Sequence, residues 1–316
     1  MQIDVFNGDA DGICALHQLR LAKPSDSMLV TGIKRDINLL SKVSAKQGDS
    51  INVLDISLDK NRNDLLRLLE AGAIITYYDH HFAGDIPEHR LLEATIDTQP
   101  TICTSLLVNN ALKNKYLPWA VTAAFGDNLY ESAIKAAGPL HLLNEQLEQL
   151  KQLGTCINYN GYGSSLNDLF FHPDSLYKKI RPYEDPFDFI QTDDAFKILL
   201  NGYTEDMSKA ASVNAESKTE AGTVYILPDA QWSRRVSGIY GNDLAQQNPD
   251  KAHAVMTSKG NDIYQVSVRA PLKTKVGADT LCRQFETGGG RQAAAGINEL
   301  PAQDLYNFIK IFHEHF

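Results

Sequence analysis

Positive charge is in short supply in this chain. There are 30 Lys and Arg against 39 Asp and Glu, a net charge of −9 over 316 residues. A protein that grips a long duplex needs a basic surface to displace counterions, so that mode is excluded and no duplex DNA partner is expected. Short nucleotides, which a few local cations can hold, remain open. Cysteine is scarce as well. Cys14, Cys103, Cys156 and Cys282 have no paired spacing for zinc or redox work, and free thiols fit a reducing cytosol. No apolar run is long enough to span a bilayer. The opening Met1-Gln2-Ile3-Asp4-Val5-Phe6 carries an acid where a signal peptide has basic residues. There is no internal repeat and no low-complexity segment. The expectation is a cytoplasmic protein of enzyme size with no membrane partner.

What is present is an α/β pattern long enough for two domains. Met1 to Phe6 reads as a strand, followed by Asn7-Gly8-Asp9-Ala10-Asp11-Gly12 as a tight acidic loop and a helix from about Ile13 to Leu21. Leu29 to Ile33 is a candidate second strand. Ser50 to Asp55 is a clearer one, with a helix from Asn61 to Ala71 that stops at Gly72. The apolar run from Ala73 to Tyr78 is a further strand, ending on Asp79-His80-His81. Strands alternating with helices imply right-handed crossovers and a parallel sheet. Thr95 to Asp97 adds a short strand. Helices are expected over Thr101–Leu112, Trp119–Asn128 and Leu140–Leu153, then packed irregular chain from Asn158 to Asp194. A polar helical connector precedes a second, smaller α/β body with strands at Thr223–Leu227, Ala252–Thr257 and Gln265–Arg269. In it, Gly288-Gly289-Gly290-Arg291 reads as a glycine loop. The domains are expected at residues 1–190, 191–221 and 222–316.

The chemistry lies in the acids. Ligands in open parallel sheets bind at the carboxyl ends of strands. Strands ending near Asp9 and Asp11, at Asp55 and at Asp79-His80-His81 would put carboxylates and imidazoles on one edge, and Asp127 closes a helix after Gly126. Oxygen ligands with some nitrogen suit two divalent ions such as Mn²⁺ or Mg²⁺. An ion pair of this kind suits phosphate-ester hydrolysis. The acidic loop lacks the distal Glu of a calcium loop. In the second body, the glycines allow a backbone to approach a phosphate, and Arg269 and Arg291 can fork onto its oxygens.

In order along the chain, Asn7-Gly8-Asp9-Ala10-Asp11-Gly12, Leu54-Asp55, Asp79-His80-His81 and Gly126-Asp127 resemble the four motifs of the DHH phosphoesterases. Gly288 to Gly296 resembles the signature of that family's associated C-terminal domain, and Ser267-Val268-Arg269 its substrate-side strand. The resemblance implies two lobes with the active site in the cleft between them, and two Mn²⁺ or Mg²⁺ ions. It implies Asp9 on one ion, Asp11 on the other, Asp55 as bridge, and His80 and Asp127 completing the coordination of the second ion. His81 would meet the scissile phosphate as general acid or electrostatic stabiliser, and Asp79 would ligate or orient the histidines. Arg269, Arg291 and Gly288, Gly289 and Gly290 would hold the far end of the substrate. The chain departs from the pattern twice. Asn7 stands where many members have a His, offering an oxygen to the first ion, and Arg291 replaces a His in the C-terminal signature.

The implied activity is metal-dependent hydrolysis of short oligonucleotides, dinucleotides first, including linear dinucleotides left from cyclic dinucleotide turnover. A pyrophosphatase or polyphosphatase, an adenosine bisphosphate phosphatase and an inactive nucleotide-binding regulator are the alternatives. Tyr159, Tyr162 and Tyr240 are candidates to stack a base. A homodimer is compatible with the sequence.

Overall fold

The computed structural model describes residues 1–316 and divides into two compact units, Met1–Asn201 and Gly202–Phe316. The first is a parallel sheet built from β1 (Gln2–Phe6), β2 (Met28–Val30), β3 (Ser50–Leu54), β4 (Ile74–Asp79) and β5 (Leu92–Ile96), in the spatial order β2-β1-β3-β4-β5. Helix α1 (Ala10–Ala22) follows β1 and α2 (Leu58–Glu70) follows β3.

The central strands are buried on both faces, which is why β1 and β3 read as near-continuous apolar runs. Ile3, Val5, Ile51, Val53, Ile75 and Tyr77 point to one face, where Leu65 and Leu68 of α2 cover them. Each buried leucine there contributes about 1.5–3 kcal/mol. Phe6 and Leu54 point to the other face. They pack with α1, α3 (Thr104–Ala111), α4 (Leu117–Gly126), α6 (Asn144–Gly161), α7 (Pro173–Ile180) and α8 (Pro186–Thr192) around Leu16, Trp119, Phe125, Ile157 and Phe189. Helix α5 (Tyr130–Ala137) lies against α4, and α9 (Asp194–Ala211) carries the chain out of this unit. One buried charge is built into the sheet. Asp4 of β1 is fully buried, and Arg20 of α1 donates to both of its oxygens, at 2.5 and 2.7 Å.

Strand order decides where a site can form. From β1 the chain steps to β2 on one side, and from β2 it crosses to β3 on the other. The carboxyl ends of β1 and β3 therefore flank the point where the order reverses, the place where sheets of this kind leave a crevice.

The second unit holds β6 (Ser217–Lys218), β7 (Gly222–Leu227), α10 (Gln231–Gln247), β8 (Ala252–Ser258), β9 (Ile263–Arg269), α11 (Ala278–Cys282), β10 (Gly288–Gly290), β11 (Ala294–Pro301) and α12 (Leu305–His315). The sheet order is β10-β11-β9-β8-β7-β6. Only β7 and β8, joined through α10, run parallel; the other pairs are antiparallel. Phe308 and Phe312 of α12 fill the core with Val266, Val268 and Leu281.

Several expectations change. The glycine run is not a loop but strand β10, with Gly289 opposite Gly296 in the ladder. Glycine is required at position 288 by close approach, since a Cβ there would lie 1.7 Å from the carbonyl oxygen of Cys282. Helix α1 begins at Ala10, so Asp11 and Gly12 sit in its first turn rather than in a loop. The stretch from Asn158 to Asp194 is largely helical: α6 runs on to Gly161, and α7 and α8 each start at a proline, whose fixed φ suits a first helical turn. The connector is helical only to Ala211.

Candidate metal centre

Each acid of the centre is placed by a backbone feature. Asp9 is the N-cap of α1, and its Oδ1 accepts from the amides of Asp11 and Gly12 at 3.0 and 3.1 Å. Asp11 faces a second helix start. Its two oxygens accept from the amides of Thr104 and Ser105 at the head of α3, both at 2.7 Å. Asp55 leaves β3 in the left-handed region, φ +59, where Asp is tolerated better than most residues. Its Oδ1 takes a bond from the Thr104 hydroxyl at 3.3 Å. Asp127 follows α4, which is drawn in by glycines. A Cβ at Gly126 would stand 2.4 Å from that of Ala10, and one at Gly154 would stand 2.1 Å from the Thr122 carbonyl. Only glycine lets α1, α4 and α6 approach this closely, and Asp127 is carried to the N-terminus of α1 as a result.

The two histidines are oriented differently. The Nδ1 of His80 lies 2.9 Å from the carbonyl oxygen of Ile102. A carbonyl can only accept, so Nδ1 carries the proton and Nε2 presents a lone pair. That nitrogen lies 3.4 Å from Asp55 Oδ1, 3.7 Å from Asp127 Oδ2 and 4.0 Å from Asp11 Oδ2. His81 Nδ1 bonds Asp79 Oδ1 at 2.6 Å, which leaves its Nε2 on the far side of the ring. Asp79 is fully buried, not at a surface strand end as its position after an apolar run suggests.

The residues fit a divalent ion. Atoms of Asp11, His80 and Asp127, and separately of Asp55, His80 and His81, lie within 4.8 Å of one another. Oxygens with one or two imidazole nitrogens form a set suited to Mn²⁺ or Mg²⁺. The buried Oδ1 of Asn7 has no hydrogen-bond partner, as expected of an atom reserved for a cation. The electrostatics agree. Burial, and then the charges of Asp9, Asp11, Asp127 and Asp79, push the Asp55 carboxyl well above the usual carboxylate range. Burial also raises Asp11, against the pull of His80. The cysteines take no part. Burial pushes Cys14 and Cys103 well up, so both stay thiols rather than thiolate ligands.

One functional side chain escaped sequence reasoning. Lys34 Nζ lies 2.6 Å from Asp9 Oδ2, 2.9 Å from Asn158 Oδ1 and 3.5 Å from Asp127 Oδ1. Burial acts to raise the pKa of Asp9, but the Lys34 ammonium overrides it and holds that carboxyl below the usual range. The signal that could have found Lys34 is its place just beyond β2, next to β1 and hence on the same sheet edge. Of the aromatics, Tyr162 stays by the centre, its ring centroid 5.5 Å from Lys34 Nζ. Tyr159 is fully buried, and Tyr240 is buried edge-on against Tyr225, so neither is open to a base.

In the second unit, Arg269 ends β9 with its guanidinium held by Asn242 Oδ1 at 2.5 Å and the carbonyl oxygen of Gly238 at 3.0 Å. Arg291 is exposed in the turn between β10 and β11, where its amide donates to the carbonyl oxygen of Ala294. Gly289 borders open space.

Comparison with known proteins agrees with this architecture. Residues 220–316 match the DHHA1 domain. No curated protein matches the sequence. Solved structures that match over 99% of this chain include these three. One is an exonuclease RecJ bound to manganese, at 17% identity and a TM-score of 0.55, with 89% of that chain covered. Another is RecJ from Thermus thermophilus with Mn²⁺, at 18% and 0.57, with 51% covered. The third is the pGpG-specific phosphodiesterase PggH from Vibrio cholerae, at 12% and 0.56, with 97% covered. At these identities the likeness is one of fold. No helix is long and apolar enough to cross a membrane.

Proposed function

We propose that this chain, built on the fold of the DHH phosphoesterases and ending in a DHHA1 domain, is a metal-dependent hydrolase of phosphodiester bonds in short oligonucleotides, dinucleotides above all. One observation carries the reading. Acids and histidines from four separate stretches of sequence converge at the β1/β3 reversal, around the Nε2 of His80.

Asp11, Asp55, His80 and Asp127 would hold a divalent ion, with Asp9 and Asn7 on the flank toward a second. Bound there, such ions activate a water and neutralise phosphoryl oxygens in an in-line displacement. The chain's own residues do the rest. Asp55 and Asp11 ligate as carboxylates, and because burial shifts both upward, protons compete with the ion and uptake strengthens with pH. The Ile102 carbonyl fixes the proton on His80 Nδ1 and turns Nε2 toward the acids. Asp79 orients His81 and supports its cationic form, so that Nε2 can give a proton to the departing oxygen. That role uses Asp79 Oδ1, the oxygen bonded to His81 Nδ1. Tyr162 offers a ring at the edge of the centre for a base to stack on. Within the second unit, Arg269, Arg291 and Gly289 are candidates for binding a phosphate. The acidic charge balance favours a short substrate over a long strand.

The test is a product assay with Mn²⁺ on a 5′-phosphorylated dinucleotide, a longer RNA, single-stranded DNA, pyrophosphate and adenosine bisphosphate. Mononucleotides released from the dinucleotide far faster than from the longer strands are expected. Turnover of pyrophosphate alone would move the chemistry to inorganic phosphate, and release from long DNA alone would overturn the preference for short substrates.

A further inference from the structure

The oxygens of Asp9 are already taken. Oδ1 accepts two amides at the head of α1, and Oδ2 accepts the Lys34 ammonium at 2.6 Å. The ammonium is itself saturated: it has three N–H groups and three oxygens around it, from Asp9, Asn158 and Asp127. Its side chain is only 23% exposed. Its backbone is pinned as well, since its amide donates to the Gly161 carbonyl and its carbonyl oxygen accepts from Asn7 Nδ2. The Asn7 that fastens Lys34 in place is also the residue that stands where a nitrogen ligand was expected. On the other side of the centre, Asp11, Asp127 and Asp55 gather around His80 Nε2, and that side has no ammonium bonded to Asp11 or Asp55 among its ion pairs.

We propose that Lys34 is a resident counter-ion that holds the place of one divalent ion beside Asp9, so that the two halves of the centre load unequally. The Asp11–Asp55–His80–Asp127 half takes an ion directly. The Asp9–Asn7 half takes one only by displacing the ammonium. The inference rests on the metal-centre reading above and adds an order of filling to it. A unit charge already neutralising Asp9 must be driven off before a cation can use the same oxygen, so the second ion binds more weakly than the first. Once displaced, Lys34 would be freed at the moment the centre is complete, next to the Tyr162 ring.

The experiment counts ions. Metal-free wild type and Lys34→Met are titrated with Mn²⁺, free Mn²⁺ being read by electron paramagnetic resonance and folding by circular dichroism. Wild type is expected to take one ion tightly and a second at least about ten-fold more weakly, and Lys34→Met is expected to tighten the second step about ten-fold or more. Two equally tight steps in wild type, or a weak step that Lys34→Met leaves unchanged, would overturn the inference while leaving the metal centre standing. No uptake by either folded protein would overturn the metal-centre reading itself. Because Lys34→Met leaves Asp9 buried and uncompensated, a second readout uses wild type alone. Acetylation of Lys34 by an N-hydroxysuccinimide ester, followed by mass spectrometry, should stay low through the first equivalent of Mn²⁺ and rise at least about three-fold across the second. Flat reactivity across both equivalents would refute displacement.

Discussion

Asp55→Asn should make the metal-free protein more stable at neutral pH while destroying its use of metal. The oxygens of Asp55, Asp11 and Asp127 lie 3.4, 4.0 and 3.7 Å from one imidazole nitrogen, His80 Nε2. No two of them are then more than roughly 8 Å apart, and like charges at that distance repel by about 2 kcal/mol per pair at an effective dielectric near 20. Two such neighbours oppose ionised Asp55, and partial exposure of Asp127 and the pull of His80 return some of that. The net gain expected from the amide is about 1–3 kcal/mol. Backbone strain adds no penalty, because Asn accepts the left-handed φ of +59 at least as well as Asp. The Thr104 hydroxyl keeps an oxygen to bond.

The pH dependence follows from the direction of the shift. A carboxyl whose folded pKa lies above its unfolded one adds stability below the unfolded value and loses it as pH rises through the folded value. Asp55 is raised by burial and by its neighbours, so wild type loses stability on the way to neutral pH and Asp55→Asn does not. Urea unfolding in chelator, followed by circular dichroism, should show the variant ahead at pH 8 and the gap closing toward pH 4. Excess Mn²⁺ should reverse the order, since an ion at about 1,000 times its Kd stabilises wild type by about 4.1 kcal/mol and has little hold on the variant. An Asp55→Asn protein no more stable than wild type at pH 8 in chelator would refute the account of a centre held under charge strain.

Two further outcomes are expected. Asp79→Asn should lower kcat about 10–100-fold with KM little changed, and should alter the limb of the pH–rate profile that reports His81, because an amide orients the ring without supporting its charge. An unaltered kcat would remove the pair from the chemistry. Asp4→Asn should cost about 3–5 kcal/mol in chemical denaturation by leaving Arg20 half-paired in the core, with Mn²⁺ affinity unchanged, because the pair lies inside the sheet and away from its carboxyl edge.

Much of this protein was decided by its sequence. Buried parallel strands need apolar residues on both faces, so β1, β3 and β4 stand out as runs, and the acids that end them mark the edge where ligands bind. Asp9, Asp11, Asp55 and His80 could be named as a group for that reason before any distance was known; Asp127, which closes a helix, joined them through the resemblance of the motifs in order. The short periods of helix and strand also separated a second α/β unit from the first. Other features depend on contacts between distant stretches, which no local pattern encodes. Gly288 to Gly290 has the composition of a loop, yet it is a strand because it pairs with Ala295 to Ile297 of β11, and the Cys282 carbonyl beside it leaves position 288 no room for a side chain. Asp79 looks like a surface residue after an apolar run, yet it is sealed in beneath His81. Lys34 sits 25 residues from Asp9 and 124 from Asn158, and only the β2-β1-β3 order brings its ammonium between them. Chemistry that depends on residue type and strand ends is written locally. A charge's partner is a matter of three-dimensional proximity, and the tertiary fold alone sets that.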